Sequence, residues 1–174
     1  MKRFLLFFFG GLVSLFVQGA LFPLIPKLHI GPDLILVITI YCAFHMTPIY
    51  GASLVFLLGL MVDAHAGTLP MGLHSLILTT VFVLWSQIVP MLYSKGRYLE
   101  SFVAFSSSLF KGIVIAAVIQ LLDRRGGQLS VVLPRICFQA FLTALVCQPF
   151  MFLIGKIEGV LLRPFAPWGE GHKR

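Results

Sequence analysis

Apolar residues run along this chain in blocks of 15 to 22, broken only by short polar or proline-containing stretches, and the blocks predict helices at 4–24, 32–46, 48–62, 71–92, 101–122 and 136–154. Blocks of this length are too long for the strands of a soluble sheet and match the roughly 20 residues needed to cross a bilayer. Pro23 and Pro26 close the first block, because proline has no amide hydrogen to continue a helix. Pro32 and Pro48 stand at the starts of the second and third, where that missing hydrogen costs nothing. The second and third blocks meet with almost no linker and predict a tight hairpin. At about 15 residues each they extend only about 22 Å, so the hairpin is expected either to thin the bilayer or to stop short of crossing. Gln148 and Pro149 mark an expected bend in the last block.

Composition strengthens this picture. Hydrophobic residues make up 59% of the 174 and charged residues only 11%, with mean hydropathy +0.99, which excludes a water-soluble domain and leaves residues 1–174 as a single integral membrane domain. The expected fold is all-α, a polytopic bundle of about six transmembrane helices. Lys2 and Arg3 before Phe4 imitate a secretory signal, but the apolar run reaches Leu24, so a retained anchor is expected; the alternative is cleavage near Gly19 or Ala20.

The net charge of +7 lies mostly in loops and tails and therefore reports topology, not nucleic-acid binding. Six spans with the N-terminus inside place Lys2, Arg3, Lys95, Arg97, Arg163, Lys173 and Arg174 in the cytoplasm, seven residues, against four outside, Lys27, Arg124, Arg125 and Arg135. Merging 32–62 into one helix gives five inside and six outside and is disfavoured. The outer group Arg124, Arg125 and Arg135 runs against the usual bias, and is either a warning about topology or a surface for an acidic partner or anionic headgroups.

Several positions stand out chemically. Gly51, Val55, Gly59, Asp63 and Gly67 recur every four residues, a small-residue face that lets membrane helices approach closely. Asp63 falls where its helix ends, and its carboxylate is expected to accept hydrogen bonds from amides of the Ala64 to Gly67 turn. Lys111 lies near the middle of a span, where a charge costs about 2.5–3.5 kcal/mol or more. Ser107 precedes it by one turn, beside a stripe of Ala104, Ser108, Gly112 and Ala116. All acidic residues fall near segment ends, so Lys111 is expected to snorkel or to bond helix carbonyls; the alternatives are a contact with a partner or a transport pathway. His29, His45, His65 and His74 fit no metal motif and are expected to be solvated at the interfaces. Cys42, Cys137 and Cys147 lack ligand spacing and are expected to be buried. No HExxH, GxSxG or paired-carboxylate helix occurs, so no enzyme, metal or cofactor is expected.

Pro32, Asp33, Leu34, Ile35, Leu36 and Val37, then Tyr41, then Gly51, Phe56, Gly59, Leu60, Asp63, Gly67 and Gly72 together resemble the MreD family of bacterial rod-shape-determining membrane proteins. The resemblance covers about a quarter of the chain. It implies a non-catalytic scaffold of the cell-elongation machinery in the bacterial cytoplasmic membrane, with both termini cytoplasmic. The implied partners are an MreC-like bitopic protein, the elongation-specific peptidoglycan synthase complex, MreB-like filaments and membrane lipid, with no nucleic acid. It assigns helix packing and partner contact to Pro32, Asp33, Gly51, Phe56, Gly59, Asp63, Gly67 and Gly72; Lys111, which has no match in the family, joins them as a candidate from its own position. The family is similar in fold to substrate-binding subunits of energy-coupling-factor transporters, which supplies the alternative of a vitamin-type solute-binding subunit.

Overall fold

A computed structural model of the chain describes residues 2–21, 31–66, 70–92, 98–122 and 129–161. Among them are six helices: α1 (Lys2–Leu21), α2 (Leu34–His45), α3 (Pro48–Ala66), α4 (Leu73–Leu92), α5 (Tyr98–Leu122) and α6 (Leu129–Leu161). The described residues form an all-α membrane bundle, and five of these helices, all but α2, are long and apolar enough to span a membrane. The expected third span extends past 62 to Ala66, and the sixth begins at Leu129 and continues through both Pro134 and Pro149.

Side-chain contacts fix the directions of the helices. Phe7 near the start of α1 packs on Tyr41 near the end of α2, and Gln18 near the end of α1 donates to the Pro32 carbonyl just before α2. α1 and α2 are therefore antiparallel. Gly11 lies against Leu58 and Gly19 against His65, so α1 and α3 run parallel. Gly51 meets Phe82 and Gly59 meets Ser75, which makes α3 and α4 an antiparallel pair. Gly112 meets Ile136 while the Cys147 thiol approaches the Glu100 carbonyl, so α5 and α6 are antiparallel too. Directions alternate from α1 to α6. Arg3 and Glu158 bond at 2.7 Å, placing the start of α1 and the end of α6 at the same end of the bundle.

α2 is the centre of the core. Every residue from Leu34 to Ala43 is buried, with α1, α3, α4, α5 and α6 all packed around it. At 12 residues it is about 18 Å long, well short of the hydrocarbon thickness. A lipid-facing helix of that length would expose the polar ends of its backbone to hydrocarbon; one enclosed by protein can satisfy them on neighbouring side chains. The outer helices carry the lipid-facing surface, with Phe9, Phe16, Phe102, Phe141 and Phe152 exposed.

Candidate functional site

A buried ion pair is built at the start of α2. Asp33 is the N-cap of that helix, and its Oδ1 accepts from the Leu36 amide at 3.1 Å. A carboxylate there is favoured both by the unpaired amides of the first turn and by the positive end of the helix dipole. Its own amide donates to Thr143 Oγ1 of α6 at 3.1 Å, and Thr143 in turn donates to the Gln139 carbonyl at 2.8 Å. Asp33 Oδ2 accepts from Lys111 Nζ, forming an ion pair between α2 and the middle of α5. Both side chains are largely buried, 7% and 13% exposed.

This pair corrects the expectation for Lys111. Asp33 is near a segment end in sequence, yet it lies inside the bundle beside the middle of α5 because α2 is short and enclosed. The cost of each charge in low dielectric is offset by the other, and the carboxylate gains a further amide bond. The lysine neither snorkels nor depends on helix carbonyls. A cavity of about 210 Å³ adjoins the pair, lined by Gln18, Pro32, Asp33, Val62, Lys111 and Gln139.

Asp63 is placed differently from expectation as well. Because α3 continues to Ala66, the amides that follow Asp63 are committed to that helix, and the unpaired donors nearest to it belong to the first turn of α4. Asp63 accepts from the amides of Gly72 (3.1 Å), His74 (2.9 Å) and Ser75 (3.1 Å), and Oδ1 lies 3.0 Å from His74 Nδ1. The carboxylate thus caps α4 from the end of α3, where the dipole of the capped helix favours it. His74 is buried rather than solvated at an interface. Gly72, directly before α4, has φ +99°, a conformation that a residue with a β-carbon adopts only with strain.

Four of the five positions of the expected small-residue face lie among the described residues, and they are used inside the chain. Gly51, Val55, Gly59 and Asp63 are all buried, and a β-carbon at Gly59 would overlap the Ser75 backbone. α4 therefore occupies the surface expected to accept a partner helix. Phe56 points the other way and is 48% exposed. Pro32 is half-buried beside the cavity, and Gly67 lies outside the described residues, as do His29, Lys27, Arg124 and Arg125. Arg135, expected in a loop, is an exposed residue of α6. The Ser107 spot is satisfied by Trp85, whose Nε1 donates to it at 2.7 Å. Cys42 and Cys147 are buried as expected, whereas Cys137 is exposed on α6. Among the described residues no group of three or more His, Cys, Asp or Glu is arranged to hold a metal ion.

A second polar cluster, not foreseen, closes the opposite end of α2. The Tyr41 hydroxyl donates to Glu158 Oε2 at 2.6 Å while Arg3 holds Oε1, joining α1, α2 and α6; His45 stacks on Tyr41 with ring centroids 4.2 Å apart. In the sequence Glu158 is only an acid near a segment end, Arg3 a charge before the first apolar block and Tyr41 one position of the resemblance, with nothing to join them. Gln18, Gln139 and Thr143 were also missed, although polar residues within apolar blocks deserve the question of what they bond.

The chain matches no protein-family model, no curated protein and no solved structure.

Proposed function

We propose that this chain is a non-catalytic membrane scaffold of the bacterial cell-elongation machinery, seated in the cytoplasmic membrane with both termini in the cytoplasm. In this reading it binds an MreC-like bitopic protein and helps couple MreB-like filaments to the peptidoglycan synthase complex. The reading rests on the resemblance between Pro32 and Gly72. The observation that carries it is the division of labour among those residues: Asp33 and Asp63 cap helices, Gly51 and Gly59 seat α4, and Phe56 faces outward. Residues of a shared pattern that serve packing explain a common frame; a large exposed aromatic among them is the one available to a neighbour. Phe56, with Leu57 and Met61 exposed beside it, is our assignment for the partner-facing surface.

Copurification from membranes tests the assignment. A bitopic companion retained in mild detergent, and lost in Phe56→Ala while the chain itself still folds, supports it; retention unchanged by Phe56→Ala removes the surface, and absence of any companion removes the scaffold. The cavity beside Lys111 favours a second reading, a solute-binding transport subunit, which predicts a stoichiometric small molecule and no companion.

A further inference from the structure

The cavity at the Asp33–Lys111 pair has an unusual balance of charge and hydrogen-bonding capacity. It lies toward the end of the bundle opposite Arg3 and Glu158, between the end of α1, the start of α2, the end of α3, and the polar faces of α5 and α6. Lys111 brings three N–H donors, and among the described residues Asp33 is its one hydrogen-bond partner, which leaves two donors. Asp33 accepts one bond at each oxygen and retains lone pairs. Gln18 uses Nε2 on the Pro32 carbonyl and keeps its amide oxygen, and the Gln139 side-chain amide has no partner among the described residues. Donors and acceptors are thus offered side by side.

Two constraints select the occupant. The pair is neutral as a whole, so an occupant with net charge would leave one charge uncompensated beside it, while a zwitterion would match both partners. At about 210 Å³ the space falls below the 300–1,000 Å³ of drug-sized sites. We propose that this cavity binds a small zwitterion, its oxyanion on Lys111 and Gln139 and its ammonium on Asp33 and the Gln18 oxygen. The same chemistry is carried by a free short amino acid and by a phosphoethanolamine headgroup. The site goes beyond the scaffold reading and does not require it; for the transport reading it would define the solute class.

The test uses the full chain purified in detergent and, separately, in lipid nanodiscs. Glycine and glycerophosphoethanolamine, whose phosphodiester leaves it net neutral, are titrated in detergent, with inorganic phosphate, ethylamine and glycerol as probes of anion, cation and polyol; nanodiscs of phosphatidylethanolamine are compared with phosphatidylglycerol. Thermal unfolding and native mass spectrometry report binding. A zwitterion is expected to raise the unfolding temperature by several degrees at saturation, with the three single-function probes at least tenfold weaker. A response to free zwitterions assigns a soluble ligand, and a response confined to phosphatidylethanolamine assigns a lipid; both support the site. Gln139→Leu, which leaves the ion pair in place, is expected to weaken binding at least tenfold while the empty protein melts as before. Lys111→Gln should abolish binding. Equal binding of phosphate, ethylamine or glycerol, no binding by any zwitterion, or full affinity in Gln139→Leu overturns the proposal. Companion retention in the same preparations is read independently, so loss of the ligand site and loss of the scaffold remain separate results.

Discussion

Lys111 on α5 donates to the carboxylate of Asp33, the residue that caps α2, although the two are 78 positions apart in the chain. One bond thereby ties the central helix to the outer layer and neutralises the charge of a lysine held within a candidate membrane span. The arrangement makes each partner's presence conditional on the other.

Lys111→Met is accordingly expected to destabilise the bundle by about 3–5 kcal/mol, because Asp33 would be left as an unpaired buried charge. Asp33→Asn keeps an oxygen for the Leu36 amide and so removes the ion pair without removing the cap. The double variant Asp33→Asn with Lys111→Met should recover a large part of the loss. A double-mutant cycle on unfolding in mild detergent measures the coupling; additive losses would show that the pair does not act as a unit.

Asp63→Ala should uncap α4, leaving the amides of Gly72, His74 and Ser75 without their acceptor, at a cost of about 2 kcal/mol or more. Asp63→Asn retains one acceptor oxygen and should cost less. Amide hydrogen exchange at residues 72–75 is the direct measure, with faster exchange expected in the order Ala, Asn, wild type.

Glycine replacements should separate by what the new methyl group meets. At Gly59 it meets the Ser75 backbone, which cannot turn aside, so Gly59→Ala is expected to cost about 1–3 kcal/mol and Gly59→Leu more. At Gly51 it meets the Phe82 ring, a side chain rather than backbone but one fully buried in the core, and the loss should be only somewhat smaller. Gly10 has open space, so Gly10→Ala should be neutral or stabilising by up to about 1 kcal/mol. Melting temperatures of the three alanine variants test the order.

The alternation of helix directions places positions 3 and 158 at one end of the bundle and position 71, the exposed turn between α3 and α4, at the other. In a cysteine-free background, single cysteines at 3 and 158 should react with an impermeant thiol reagent from the same side of the membrane, and one at 71 from the opposite side. Labelling of 3 and 158 from opposite sides would refute the even number of passes.

The apolar blocks were sufficient to specify an all-helical membrane chain, since only helices satisfy the backbone within a single segment in lipid. The four-residue recurrence of Gly51, Val55, Gly59 and Asp63 likewise identified a buried face, because side chains at that spacing share one side of a helix wherever it packs. What covers that face was not legible: α4 does, and a partner helix of similar shape would have left the same pattern. Asp63 was recognised as needing hydrogen donors, but the donors lie 9 to 12 residues onward, across a loop.

Lys111 shows the same division most sharply. Hydropathy located a charge that had to be compensated, and said nothing of where the compensation came from. Counting along the sequence put every carboxylate near a segment end, whereas depth in the membrane depends on how helices are nested. Enclosure of α2 by five neighbours brings its cap inward to meet the lysine. Local periodicity is carried by consecutive residues and can be read from them; the pairing of Asp33 with Lys111, like that of Tyr41 and Arg3 with Glu158, exists only once distant segments have packed.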